Sequence, residues 1–234
     1  MLGLSRRDRR PELMDDPALD AAEHRRALAG LARLNAVSNG AGAVWYSIRA
    51  LASELSRPIR VLDVASGSGD GPVAMAGMAK RAGFSVAFAG CDISPTAVAA
   101  ATERAATANA PVEFFQHDVL KDDLPGGFDV VTCSLFLHHL DEPDAVLLLQ
   151  RMDRAATALG IVSDLSRSRW NYLQVWFACR LLTRSPVVRY DGPVSVRAAF
   201  TPAEATALAK RAGLKNVHAS PRFPCRFQLS WRKR

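Results

Sequence analysis

The chain has 234 residues, 49% of them hydrophobic, with 30 Lys and Arg against 23 Asp and Glu for a formal net charge of +7. That length supports one sizeable core rather than two. Cys91, Cys133, Cys179 and Cys225 are too scattered for a zinc ligand set or a disulfide framework and read as reduced thiols. No apolar run approaches the roughly 20 residues of a membrane span, and the chain opens on arginines rather than an apolar leader, so a cytoplasmic soluble protein is expected. Much of the basic excess sits in Arg6, Arg7, Arg9 and Arg10 and in Arg232, Lys233 and Arg234, read as tails that say little about a site.

After the arginine-rich start, Asp16 and Pro17 are a cap and first-turn proline for a helix reaching about residue 36. A break at residues 39–42 precedes a second helix with a Val44, Ile48, Leu51, Leu55 stripe. Strands are then predicted over 59–64, 85–91, 112–116, 128–135 and 160–164. Helices alternate with them over 70–82, 95–108 and 142–156, the one from 95 capped by Ser94. This alternation implies a mostly parallel sheet covered on both faces. Beyond Asp164 a long aromatic helical stretch, 169–182, reads as an insertion or lid. A capping box at Thr201-Pro202-Ala203-Glu204 then starts a last helix, and two closing strands fall near 217–219 and 226–229. One domain is expected, with N-terminal helices over 1–57, a core over 58–165, the lid over 166–200 and the closing elements over 201–234.

The most informative stretch is Val61-Leu62-Asp63-Val64-Ala65-Ser66-Gly67-Ser68-Gly69-Asp70-Gly71, where a buried strand meets a glycine turn and a helix start. A phosphate-binding loop would need Gly-Lys-Ser/Thr, and a dinucleotide fingerprint would need a small residue where Pro72 stands and no carboxylate at the helix N-terminus. A ligand with an amino acid and a nucleoside but no phosphate meets neither objection, and S-adenosylmethionine is one. Three further features fall at carboxyl ends of strands, where open sheets of this kind bind ligands. Asp92, with Ile93 beside it, follows the second strand at the spacing of a ribose-binding acid. Asp118 and Val119 follow the third, and Cys133-Ser134-Leu135 leads into His138-His139 after the fourth.

In VLDVASGSGD, CDISPTAV, QHDVL and FDVVTCSLFLHHL, in that order, residues 60–164 closely resemble the class I S-adenosylmethionine-dependent methyltransferases. The branch is that of the small-molecule and ubiquinone/menaquinone-type enzymes. The segment from Arg184 to Thr201 is also similar to one in methyltransferases of bacterial polyketide pathways. The resemblance implies an α/β, Rossmann-like, mostly parallel seven-stranded sheet with added N-terminal helices and a helical lid after strand five. It also implies S-adenosyl-L-methionine as cofactor, released as S-adenosyl-L-homocysteine. Ala65 and Gly67 would face the methionine part, with Asp63, Ser66 and Gly69 in the same cofactor-binding turn, Asp92 with Ile93 the ribose, Asp118 with Val119 the adenine, and Cys133 and Ser134 a further wall. Ala65 stands where the family commonly has glycine.

Each residue also has a plainer role. Asp63 can be an acceptor for the turn's N–H groups, Asp92 a helix cap, Asp118 a solvated turn residue, and Arg33 or Asn35 either a partner for the cofactor carboxylate or a solvent-facing side chain. Adjacent histidines are not expected to face one pocket. His138 is the candidate base for a hydroxyl acceptor, since imidazole titrates near neutral pH. Asp191 before Gly192-Pro193 reads as a turn-former in preference to a pocket contact. The apolar 169–182 stretch covers the core and, with Arg169, Arg180 and Arg184, could line a lipophilic acceptor pocket or lie on an anionic membrane. O-methylation of a small hydrophobic phenol in secondary metabolism is the expected activity, with no metal and no nucleic-acid partner. An RNA methyltransferase or a non-catalytic binding protein are the rivals, and the oligomeric state is not indicated.

Overall fold

A parallel core of five strands extended by an antiparallel pair organises the chain. The computed structural model describes residues 4–16 and 18–233. The strands are β1 Ile59–Val64, β2 Val86–Asp92, β3 Val112–Gln116, β4 Phe128–Ser134, β5 Ala156–Leu165, β6 Val217–Arg222 and β7 Arg226–Arg232. They form one seven-stranded sheet in the order β3-β2-β1-β4-β5-β7-β6. β1 to β5 pair in parallel, while β7 runs antiparallel to both β5 and β6. The order reverses between β1 and β4, so the crevice for a ligand opens above their carboxyl ends.

The strands are apolar on both faces, as a sheet covered on both sides requires. Val61 joins Val44, Ile48, Met75 and Ile161 in one layer, beneath α2 (Gly40–Leu55) and α3 (Asp70–Arg81). Its neighbour Leu62 joins Leu148, Leu149, Met152 and Phe227 in the other, beneath α5 (Glu142–Ala155) and α8 (Pro202–Arg211). α4 (Pro95–Thr107) follows β2, capped by Ser94 through the Ala97 amide, and the reciprocal capping box of Thr201 and Glu204 starts α8 as its spacing demands. No helix of the described residues is long and apolar enough to cross a membrane.

Three sequence expectations change. α1 runs over Ala21–Val37 and is capped by Asp20, whose side chain takes the amides of Ala22 and Glu23. The expected start at Asp16-Pro17 is therefore displaced, with Pro17 outside the described residues. After α6 (Arg169–Leu182), the expected turn at Tyr190 to Pro193 lies inside helix α7, Pro186–Ala198. Ser185 caps that helix and Pro186 opens it, a stronger start signal than the Gly-Pro pair is a stop. Finally, the basic ends are not tails. Arg232 is part of β7 and pairs with Glu54, and Arg7 and Arg9 grip the loop after β4.

The β5–β7 seam depends on a glycine. Gly160 stands opposite Trp231, and a Cβ at Gly160 would lie 2.1 Å from the indole, which is fully buried and donates from Nε1 to Asp153 at 3.0 Å. Gly160→Ala is expected to destabilise the fold by about 1–3 kcal/mol through overpacking, read as a lower denaturation midpoint.

Candidate active site

Where β1 ends, Ala65 (φ +54°), Gly67 (φ +53°) and Gly69 (φ +72°) all take left-handed backbone conformations before α3 starts at Asp70. Gly69 is required by space as well. A Cβ there would come within 2.6 Å of the Phe114 ring and 2.8 Å of Ala101, so its absence lets β3 and α4 close on the turn. At Gly67 a Cβ would meet nothing within 4 Å, so this stretch of backbone faces open space. Ser66 is tied back to β2, its amide donating to the Cys91 carbonyl at 2.9 Å.

Asp92 fastens this turn. Its Oδ2 accepts the Gly67 amide at 2.8 Å and its Oδ1 the Ser94 amide at 2.9 Å, which leaves lone pairs on both oxygens for a ligand. Asp63 is nearly fully buried beneath the turn and accepts the Thr132 hydroxyl at 2.5 Å. Burial, helped by Asp70 and Asp92 and opposed by Thr132, pushes its carboxyl up to about 7. The turn thus lies in a field of three carboxylates.

The other candidates separate into those at the crevice and those in the core. Asp118 lies half-buried at the end of β3 and accepts the Leu120 amide at 3.0 Å, with Lys121 Nζ 3.2 Å away. Burial would raise it, but these donors hold its carboxyl below the usual range. The Ile93 side chain is exposed, while Val119 is buried and part of the core. Cys133 is a core thiol pushed well above its ordinary range by burial, and Ser134 beside it is half-buried. Of the two α1 candidates, Arg33 is exposed. Asn35, two positions on, reaches the turn's side of the molecule and donates to Asp70 at 3.0 Å.

Asn35 also borders a cavity of about 630 Å³ over the ends of β4 and β5. Its walls are mainly apolar side chains of α1 and α6, among them Leu31, Leu34, Trp170, Leu173 and Phe177. Into it projects the 3-10 turn Leu137–His139. Contrary to expectation both histidines border the cavity, their rings 4.3 Å apart, with the Nε2 atoms of both converging on the Glu12 carboxylate at 3.8 and 3.9 Å. The His138 ring Nδ1 lies 2.6 Å from Asp164 Oδ1, and the His138 amide donates to Oδ2 at 3.0 Å. Burial would raise Asp164, yet the His138 ring and the amides of Leu165 and His138 hold it below the ordinary carboxylate range. Asp164 thus orients the His138 ring through Nδ1, and the ring's Nε2 lies 3.8 Å from Glu12 at the cavity wall.

Two groups at this end, Glu12 and Arg7, were not marked in the sequence, and a third, Asp191, was read there as a turn-former in preference to a pocket contact. Glu12 comes within 3.8 Å of His138 Nε2 and 3.9 Å of His139 Nε2, and it accepts the Ser195 hydroxyl at 2.6 Å. The ligand atoms of Glu12, His138 and His139 lie within 4.8 Å of one another and can share protons or hold a cation. Asp191, buried on α7 and bordering the cavity, accepts the amides of Leu13 and Met14. Arg7 donates to the carbonyls of His138 (2.7 Å) and Leu140 (2.5 Å) and stacks on Phe200. Asp164 was visible as a strand-end acid. Glu12 and Arg7 carry no local signal, because nothing in their spacing says that the segment folds back.

An open backbone at Gly67, acids at the ends of β2 and β3 and a net negative field fit a ligand with cationic groups and a ribose, and disfavour a phosphate. S-adenosylmethionine satisfies these requirements.

Comparisons with known proteins bear on this arrangement. Residues 61–160 match a family model described as a methyltransferase domain. A search of curated proteins finds no match. Among solved structures the fold is similar to magnesium protoporphyrin IX methyltransferase from Synechocystis PCC 6803 with bound S-adenosylhomocysteine (TM-score 0.59, 18% identity, 94% of this chain and 90% of that one). It is also similar to the S-adenosylmethionine-dependent methyltransferase SibL in its apo form (0.58, 19%, 77% and 52%). A third likeness is to an O-methyltransferase family 2 protein from Planctomyces limnophilus DSM 3776 in complex with apigenin (0.56, 19%, 75% and 50%). The chain spans about half the length of the last two, and at these identities the likeness is one of fold.

Two outcomes follow from the turn. Gly69→Ala is expected to weaken S-adenosylhomocysteine binding at least tenfold by calorimetry, because both φ and the Phe114 contact forbid the new methyl. For Asp63, the folded chain keeps a proton that the unfolded chain releases near pH 4, so its contribution is full below that pH and is lost as pH rises through about 7. Asp63→Asn keeps an acceptor for Thr132 and should flatten that dependence. The expected gain is on the order of 2 kcal/mol at pH 8 and little at pH 4, read from unfolding midpoints.

Proposed function

Proceeding from a chain whose residues 61–160 form a methyltransferase domain, we propose that the protein methylates a hydroxyl of a small, lipophilic, aromatic acceptor at the expense of S-adenosylmethionine. The observation that carries this reading is the His138 imidazole, backed by Asp164 at 2.6 Å, in the wall of a mainly apolar cavity that Asn35 links to the glycine turn. The cavity volume of about 630 Å³ suits a ligand of a few rings, within the usual range for small-molecule sites. Secondary metabolism and a cytoplasmic setting accord with this acceptor class and with four unpaired cysteines.

In this reading Gly67, Asp92 and Asp118 hold the amino-acid, ribose and adenine parts of the cofactor, and Asn35 stands between cofactor and acceptor. When bound, the cofactor supplies a methyl group on a sulfonium whose leaving group is a neutral thioether. The chain's task is then mainly positioning. Leu31, Leu34 and Val175 hold the ring system, and α6 covers it and excludes water, so residues 166–200 serve as the lid. His138 accepts the hydroxyl proton at Nε2, and the developing imidazolium is stabilised by the Asp164 carboxylate at Nδ1. Glu12 lies 3.8 Å from the same Nε2 and closes that side of the cavity. A nucleic-acid acceptor would call for an open polar groove at this point, and the wall there is Trp170, Leu173 and Phe177.

The test is release of S-adenosylhomocysteine from purified protein with a panel of alkylated phenols. His138→Ala is expected to lower kcat by about 10²–10⁴, with S-adenosylhomocysteine affinity within twofold of wild type. A variant with near-normal turnover would sink the base role, and no turnover with any phenol would sink the acceptor class. Asp164→Asn should lower kcat without changing cofactor affinity, because the amide no longer enforces the Nδ1 proton or balances the imidazolium.

A further inference from the structure

The mouth of the cavity is ringed by apolar side chains that the fold leaves in solvent. On α6, Trp170 (68% exposed), Leu173, Phe177 (56%) and Leu181 (82%) follow one another at helical spacing and border the cavity. Val37, the last residue of α1, stands 68% exposed on the same rim. Phe223, at the β6–β7 turn next to the cavity-lining Pro224, is 89% exposed. A single exposed large apolar residue is ordinary, but six from three separate elements around one opening mark a contact surface.

The segments that carry these exposed apolar side chains have charge of one sign, while the acids of the cavity lining, Glu12 and Asp191, accept from Ser195 and from the Leu13 and Met14 amides. Those segments, 24–53, 165–190 and 205–234, contain no Asp or Glu at all. Arg169, beside the cavity-lining Trp170, and Arg184, two positions past the cavity-lining Leu182, are exposed, and neither makes an ion pair with a described residue. Arg169 and Arg180 lie about a quarter turn from the apolar stripe of α6, so they flank it rather than interrupt it. The Arg180 guanidinium lies over the Trp176 ring at 3.7 Å, its charge at the surface.

We propose that this rim docks on an anionic lipid bilayer, with Trp170, Phe177, Leu181, Val37 and Phe223 entering the headgroup–acyl boundary and the flanking arginines meeting lipid phosphates. An aromatic and aliphatic face bordered by arginine is the composition that partitions into such an interface. A second copy of the chain is a poorer occupant, because pairing two such rims would set arginines against arginines. A nucleic acid would match the charge but leave the apolar side chains unpaired. The docking stands on exposure and charge alone. Its consequence, that a lipophilic acceptor passes from the bilayer into the cavity without crossing water, rests on the reading given under Proposed function.

Co-sedimentation of the full chain with vesicles of phosphatidylcholine, with and without phosphatidylglycerol, tests this. Binding is expected only to the anionic vesicles, weakening with salt. It should fall at least tenfold in Leu181→Ser/Phe223→Ser and in Arg169→Glu/Arg180→Glu, while S-adenosylhomocysteine affinity in both stays at the wild-type value and shows that the variants are folded. No binding to anionic vesicles at low salt, or binding indifferent to the apolar substitutions, would overturn the proposal. So would a dimer in sedimentation velocity that the same substitutions dissolve, since a second copy would then cover the rim. Phenol methylation in detergent with no vesicle binding rejects the docking alone, and vesicle binding without methyl transfer rejects the acceptor reading alone.

Discussion

The carboxylate of Asp164, buried at the end of β5, is the constraint on which the cavity side of the molecule depends. It accepts from the His138 ring, the His138 amide and the Leu165 amide, and so holds the loop after β4 by main chain and side chain together. A buried charge is tolerable only when satisfied in this way. Arg7 completes the hold from the opposite side on the carbonyls of His138 and Leu140. The two clasps turn a flexible connection into a rigid wall, and they allow a single imidazole nitrogen to be aimed into a cavity.

The cavity's other wall depends on the N-terminal segment in a different manner. Asp191 takes the amides of Leu13 and Met14, and Glu12 is thereby carried to the two histidines. Arg7 belongs to the same segment, and burial lowers its guanidinium to about 10, a sign of how far it is drawn out of water. The segment therefore contributes one residue to the hold on the histidine loop and one to the chemistry facing it.

Charge is sorted along the path from cofactor to surface. The glycine turn lies among Asp63, Asp70 and Asp92, the cavity beyond it is mainly apolar, and the outer rim is basic without an acidic residue in the segments that form it. The carboxyl groups of the first zone suit a cationic nucleoside ligand, and the second zone sets Glu12, Asp191 and the two histidines among apolar side chains. The formal charge of +7 thus reflects an arrangement in space, and Arg7 and Arg232, read from composition as parts of tails, are packed into it, with Arg234 outside the described residues.

What the sequence by itself determined is the parallel core and the cofactor turn. Strand periodicity, caps such as Ser94 and Thr201, and the glycines at 67 and 69 act through neighbours a few residues away, so their consequences can be read locally. Even Asp92, whose bond to Gly67 spans 25 positions, was legible because the βαβ unit sets the distance between consecutive strand ends. Tertiary structure alone decided the acceptor side. Glu12 meets His138 across 126 residues, Asp191 meets Leu13 across 178, and the helix that absorbs Tyr190 to Pro193 overrides the local turn signal. Those pairings follow from buried charges finding donors in a folded interior, a requirement that leaves no periodic trace along the chain.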